Sequence, residues 1–439
     1  MIFYPRCHAQ IEVVFDGRGG PDTAPFTVDA TPIDATVHRN GYHEADTWSL
    51  SFNARSLPFD PDLIRAAAVS IFMFAADGLD DRREPAVPAN FMILGLCDDA
   101  GLELGRDGQV FRMDGRDATA LLLDREWDPK EKVQVGRPLS VVVQQMADRV
   151  LPAGSRLRFD VVFESVDERG LPTPQPIVGR SRRGKNRGLN VDAGKSYWDA
   201  IYELCLSHGF IVFVRDTQIV ITDPQTQTTI PRAGTPHVAY GKNLDSLSVQ
   251  RRFGKERVPQ IAFNTHDPRT GRRIKVLYPK KHDTPKTGVG TLKDEILQLP
   301  APDGVYDEGT LRRLARVHYE TIARSESSYR FTTKFLRDIE GNDLFRLDAG
   351  KPVHIHFDPF NAEQMRALSS GQRVEHLLAM GYSPRLSAFL ANHFDRLEQF
   401  TQPYYVKSAE FVWSNTSGIQ ITCEAANYSY EPREIREAA

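Results

Sequence analysis

Apolar and polar residues alternate with period two through much of the first quarter of the chain. In Thr47-Trp48-Ser49-Leu50-Ser51-Phe52 every second side chain is apolar, as in a strand with one face in a core and one in water. Ala68-Val69-Ser70-Ile71-Phe72-Met73-Phe74 is more continuously apolar and predicts a more deeply buried strand. Asn40-Gly41 and Asp107-Gly108 lie between such runs, and both dipeptides favour the positive φ of tight hairpin turns. From Ile11 to about Asp117 the pattern predicts an antiparallel sandwich or small barrel. Pro138 to Val150 then carries a partial helical stripe of Val141, Val142, Met146 and Val150.

The middle of the chain changes character. Leu157 to Val166 alternates again, and Asp167 to Gly194 is a connection rich in Pro, Gly and Arg. Ser196 followed by Asp199 has the spacing of a capping box, with Trp198, Ile201, Tyr202, Cys205 and Leu206 at helical spacing and Gly209 as the stop. Phe210–Val214 and Gln218–Thr222 predict a hairpin around Arg215-Asp216-Thr217. Strands return at Leu247–Arg251, Gln260–Asn264, Arg273–Leu277, Val353–Phe357, Tyr405–Phe411 and Ile419–Glu424. A helix is expected from Asp307 to Ser325, and two or three short ones from Asn361 to Phe400, interrupted at Gly381-Tyr382-Ser383-Pro384.

Composition narrows the class. The 439 residues are 41% hydrophobic and 26% charged, which excludes a fibrous or wholly disordered chain. Lys and Arg total 55 against 58 Asp and Glu, a net charge of -3, so no global basic field exists to hold nucleic acid or an anionic membrane. Cys7, Cys97, Cys205 and Cys423 have no zinc-type spacing, and reduced, buried or half-buried thiols are the expectation. Met1 to Gln10 lacks a signal-peptide core, and Ala66 to Ala76 is too short to span a bilayer. A soluble protein made in the cytosol, without a membrane segment, is expected.

Five stretches invite a chemical reading. Gly194-Lys195-Ser196 stands before a helix, but a phosphate-binding loop needs glycine where Leu189 stands, with Gly188 one residue early, so Ser196 is better read as a helix cap. His354-Ile355-His356-Phe357-Asp358 puts two imidazoles and a carboxylate on one strand face, which permits two metal ligands but supplies no third ligand or base. Arg180 to Arg187, and Arg272-Arg273-Ile274-Lys275 running on to Lys280-Lys281, lack the interleaved aromatics of a single-strand binder apart from Tyr278, so solvated loops or docking surfaces are expected. Gly288-Val289-Gly290 lacks the third glycine of a dinucleotide loop. The chain is therefore read as a non-enzyme with no catalytic residue, metal or cofactor and no sequence-specific nucleic-acid binding. The alternative is a metal- or nucleotide-dependent hydrolase using His354 and His356 or Gly194-Lys195-Ser196.

Several phrases, in their order, resemble the phage baseplate hub family, also called the late control protein D family. Its relatives include the hub of contractile tails and the hub part of type VI secretion spike proteins. The phrases are Ala45-Asp46-Thr47-Trp48-Ser49-Leu50, Gly115-Arg116-Asp117-Ala118-Thr119 with Leu121 to Asp124, Trp198 to Phe210 with its hairpin, and Tyr240-Gly241-Lys242-Asn243-Leu244 with Ser246 to Arg251. The resemblance runs from about Ile11 to Tyr428.

It implies an α+β, mainly β protein with two antiparallel β-barrel-like tube domains, an intervening small α/β module and a helical insertion in the C-terminal part. The expected limits are 1–150 for the first tube domain, 151–235 for the module with its Arg-rich loop, and 236–439 for the second, with the insertion at about 361–400. It further implies a homotrimer whose six similar domains form a pseudo-sixfold ring joining the tail tube to a central spike. Other baseplate proteins and the tape measure are further partners, and the place of action is a virion tail baseplate or injection particle. The charged tail Glu431 to Glu437 is followed by no lysozyme-like module or needle, so a spike and any wall-degrading enzyme are expected as separate chains.

Overall fold

The structure is a computed structural model. It describes residues 3–15, 25–41, 44–57, 60–77, 90–105, 108–128, 133–151, 157–165, 171–178, 194–222, 235–239, 242–251, 260–267, 270–279, 286–287, 290–291, 296–301, 305–338, 341–356, 368–379, 384–392 and 403–426. The Arg180–Arg187 loop, Lys280-Lys281, Gly288-Val289, Gly381-Tyr382-Ser383 and the tail Glu431–Glu437 lie outside the described residues.

The first third is strands: β1 (Phe3–Phe15), β2 (Phe26–Ala30), β3 (Asp34–Arg39), β4 (Thr47–Asn53), β5 (Ile64–Asp77), β6 (Phe91–Gly105) and β7 (Gly108–Asp117). Next come α1 (Thr119–Asp124), α2 (Leu139–Val150), β8 (Asp160–Glu164), α3 (Tyr197–Ser207), β9 (Ile211–Arg215) and β10 (Gln218–Thr222). The rest comprises β11 (His237–Ala239), β12 (Ser246–Arg251), β13 (Gln260–His266), β14 (Arg273–Tyr278), the short ladder β15 (Lys286–Thr287) and β16 (Gly290–Thr291), and β17 (Ile296–Pro300). It continues with α4 (Glu308–Glu326), β18 (Ser327–Thr333), β19 (Pro352–His356), α5 (Ser370–Ala379), α6 (Pro384–Asn392), β20 (Pro403–Ser414) and β21 (Gly418–Ala426). The fold is α+β and mainly β, as expected. α5 and α6 fall in the expected helical insertion, the remainder of which lies outside the described residues.

The strand-rich regions at the two ends of the chain form one sheet. Its path is β12-β18-β21-β20-β3-β4-β7-β6-β5-β1-β2, and β11 and β19 branch from β20 to make 13 strands. The seam is the antiparallel pair β20–β3, in register from Ala409↔Arg39 to Ser414↔Asp34. Alternation explains why one face is dry. Trp48, Leu50 and Phe52 of β4 point to the same side as Phe111 and Met113 of β7 and Phe411 and Trp413 of β20, and all are buried in one continuous core. Each such side chain contributes about 1.5–3 kcal/mol on leaving water. The indole Nε1 of Trp413 donates to Pro5 O at 3.3 Å, so β1 lies across the far end of the sheet, which curls over its own core. β5 is more deeply covered, as expected: Phe72, on the opposite side from Ile71 and Met73, packs edge-on against Phe91 at 5.7 Å.

A second core belongs to the module. β8 runs parallel to β10 and β9 antiparallel to it, and the helices cover this small sheet with Trp127, Val142, Met146, Trp198 and Ile201 buried among its apolar residues. α1 and α2, which precede residue 151, share this core rather than that of the large sheet. A third, smaller core joins α4 to the sheet β14-β13-β17 through Leu311, Leu314, Phe263 and Val276. All four cysteines are free, and burial raises every thiol pKa, which favours the protonated thiol over the thiolate.

One turn differs from expectation. Gly108 has φ 131° at the β6–β7 hairpin, as its sequence predicts, but Gly41 is not among the positive-φ residues. β3 ends at Arg39 and β4 starts at Thr47, so Asn40-Gly41 opens a longer connection. There Gly41 serves close approach: a Cβ on it would lie 2.5 Å from Lys407 O. The dipeptide signal was right about glycine and wrong about the reason.

Candidate functional site

The glycine-lysine-serine segment is a helix start. Ser196 Oγ accepts from the Asp199 amide at 3.0 Å, while Asp199 Oδ2 accepts from the Ser196 amide at 3.2 Å. This reciprocal cap satisfies orphan donors of α3 that a phosphate would need. Lys195 Nζ lies 2.5 Å and 2.6 Å from the two carboxylate oxygens of Glu203, so the lysine is held by its own helix. Gly188 and Leu189 lie outside the described residues. Replacing Ser196 with alanine is expected to lower stability by about 1 kcal/mol in urea titration; a loss below a few tenths would show the cap to be redundant.

The histidine strand is β19, inserted between β11 and β20. Val353 and Ile355 are buried in the large core, as the alternation requires. His354 is half-buried and stacks on His237, its partner in register on the parallel strand β11, with ring centroids 4.4 Å apart. The side chains of His356 and Asp358 lie outside the described ones. Among the described residues no group of three His, Cys, Asp or Glu is placed to hold a metal.

What the structure does bring together is a set of charged residues that no local pattern joined. Arg39, at the end of β3, is only 6% exposed. Its Nη1 donates to Leu347 O at 3.0 Å and its Nη2 to Met92 O at 2.6 Å, and the guanidinium lies over the Phe411 ring at 5.7 Å. Asp348 receives three cations: Lys351 Nζ at 3.1 Å, Arg215 Nε at 3.7 Å and Arg39 Nη1 at 3.9 Å. Burial would raise the Asp348 pKa, but these cations outweigh it and the net shift is downward.

Three other carboxylates at the junction are shifted the opposite way. Asp46, in the β3–β4 connection, is raised well above its ordinary value by burial and then by the charges of Asp117 and Asp348. Asp117, at the end of β7, is pushed up to about 7, chiefly by burial, although Thr119 donates to it from both N and Oγ1. Asp216, at the exposed tip of the β9–β10 hairpin, is also shifted upward, by partial loss of hydration and by the charge of Asp348, and takes φ 57°, a left-handed conformation that aspartate tolerates. The junction thus joins strand ends of the large sheet, the tip of the module and the segment before β19.

Two of the sequence phrases meet at its edge. Ala45–Leu50 and Gly115–Thr119 pair as β4 and β7, with Trp48 opposite Gly115, and the Asp117 amide donates to Asp46 O at 2.9 Å. Trp48 lies against Gly95, where a Cβ would come within 1.8 Å of the indole nitrogen. Asp46 and Asp117 were therefore legible as parts of phrases. Arg39 and Asp348 carried no local signal, because their partners are distant in sequence.

No family model matches the chain, and no curated protein matches it by sequence. Among solved structures, the tail protein from Neisseria meningitidis MC58 is similar with a TM-score of 0.58 at 11% identity, covering 96% of this chain and 96% of that one. The 43 kDa tail protein of prophage MuSo2 from Shewanella oneidensis is similar with a TM-score of 0.53 at 12% identity, covering 95% of this chain and 98% of that one. At such identities the likeness concerns the backbone fold and not the chemistry of single side chains. Along nearly its whole length, the chain has the fold of these two tail proteins.

Proposed function

We propose that the chain is a structural tail component, a baseplate hub that forms a homotrimeric, pseudo-sixfold ring between a tail tube and a central spike. The fold likeness and the sequence phrases support the tail assignment. The observation that carries the ring is the state of two sheet edges. Among the described residues β12 pairs with a strand on one side only, β18, and β6 beyond Cys97 pairs only with β7.

Both edges leave core-facing apolar side chains uncovered. Leu247 and Val249 stand opposite Phe331 and Tyr329, and Ala100 and Leu102 opposite Met113 and Phe111, so each pair shares the core face. Yet Val249 is 45% exposed, Leu102 43% and Leu104 69%. The run from β12 to β6 contains eight strands, each antiparallel to the next. β12 of a second copy laid beside β6 of the first continues the antiparallel order with apolar residues on the same side. Repeated about a threefold axis, such a head-to-tail contact makes a ring and covers both of these edges. The role is non-catalytic in this reading. No helix among the described residues is long and apolar enough to cross a membrane.

Light scattering across protein concentrations is expected to give three times the monomer mass, and negative-stain images a three-way axis. The double variant Leu102→Asp, Leu104→Asp is expected to give a folded monomer. A wild-type protein that stays monomeric at every concentration would defeat the ring, and stoichiometric zinc or steady nucleotide turnover would favour the hydrolase alternative.

A further inference from the structure

We propose that the two open sheet edges meet in one register, with Val249 of a second copy opposite Leu102 and Leu247 of that copy opposite Leu104, and that Glu103 fixes this register by standing between Arg330 of the second copy and Arg112 of its own chain. The proposal rests on the ring reading and adds what specifies the contact.

The apolar residues restrict the choice first. An antiparallel pair that keeps them on one face can shift only in steps of two residues. Only one of these registers sets an apolar residue of β12 against Leu102 and Leu104 at once. Two residues one way, Asp245 comes opposite Leu104; the Asp245 amide still donates to Thr332 O at 2.9 Å, so this carboxylate continues the line of β12. Two residues the other way, Arg251 comes opposite Leu102. In both shifted registers an exposed leucine meets a charged residue instead of Leu247 or Val249.

Charge selects the same register. Glu103 and Arg112 lie 3.1 Å apart, and Arg330 of β18 is exposed in register with Ser248. Pairing Val249 with Leu102 sets Ser248 opposite Glu103. Arg330 of the second copy then reaches that carboxylate over a serine, across two strand spacings of about 4.8 Å each. Pairing Val249 with Ala100 instead sets Ser248 opposite Gly101, whose own partner is Arg112, so that two guanidinium groups face each other over serine and glycine. Exposed ion pairs add little affinity; the apolar residues hold the contact and the charges set its register. Gly101 agrees with a neighbour at this edge. A Cβ on it would meet nothing within 4 Å, so no contact inside the chain requires glycine there. Glycine within a strand marks the close approach of another group, here Gln250 of the second copy lying across β6 towards Arg112.

Cysteine pairs in the full chain read the register directly. Val249→Cys with Leu102→Cys is expected to give, on oxidation, disulfide-linked species up to a covalent trimer on a non-reducing gel. Val249→Cys with Ala100→Cys sets the thiols one step out of register, beyond disulfide reach, and is expected to give at least tenfold less. Each single variant controls for the four native thiols. Glu103→Arg is expected to raise the concentration at which the trimer half-dissociates at least tenfold, and adding Arg330→Glu to bring it back towards the wild-type value. These charge variants decide the matter even where cysteine at the apolar positions prevents assembly. Stronger cross-linking from the Ala100 pair overturns the register. A wild-type trimer that neither pair cross-links, and that Glu103→Arg leaves intact, overturns it too, while the hub then stands on another contact. A wild-type monomer removes the ring reading and the register with it.

Discussion

Replacing Arg39 with alanine is expected to lower the free energy of unfolding by about 3–5 kcal/mol, the cost of removing one partner from a buried charged network. The cause is not the ion pair itself, since Asp348 lies 3.9 Å away and keeps Lys351 at 3.1 Å. It is the orphaning of Leu347 O and Met92 O, two buried carbonyls on different segments that one planar guanidinium serves at once. Lysine carries the same charge without the fork, so Arg39→Lys is expected to recover only part of the loss. Urea unfolding at fixed protein concentration and pH measures both. If alanine costs less than 1 kcal/mol, water reaches the junction freely and takes the place of the guanidinium at both carbonyls.

Gly115→Ala is the second large effect, with an expected loss of about 3 kcal/mol or more. A Cβ there would sit 1.9 Å from Leu96 O and 3.0 Å from the Asp98 amide nitrogen, both backbone atoms of the neighbouring strand. Backbone within a paired strand cannot swing aside as a side chain can. β6 would have to part from β7 where its register already shifts, between Cys97 and Asp99. Gly371→Ala is the control: no atom lies within 4 Å of its added Cβ, in α5. There alanine is expected to be neutral or to stabilise by up to about 1 kcal/mol. Equal melting temperatures for the Gly115 and Gly371 variants would mean that β6 and β7 yield more easily than their close approach implies.

The two expectations differ in how far they could be read in advance. Gly115 belongs to a recognisable phrase, and its pairing partner Trp48 to another, although their contact required β4 and β7 to be neighbours. Arg39 closes an alternating strand and looked like any exposed end. Its burial follows from the seam between β3 and β20, which joins residues nearly four hundred positions apart. The histidines show the converse. His354 and His356 were legible as one face of a strand, but the imidazole stacked on His354 is His237, brought in by a parallel strand.

Period-two alternation and capping chemistry are local, so the chain by itself determined strands such as β4, β5, β12 to β14 and β19 to β21, the capped helix α3 and the β9–β10 hairpin, whereas β18, in the middle of the large sheet, carried no such reading. Sheet order is set by which apolar faces can be buried together, a condition on the whole molecule. Only the tertiary structure therefore decided that both ends of the chain share one sheet, that Asn40-Gly41 makes a close approach and not a tight turn, and that charges from five separate segments meet at one junction.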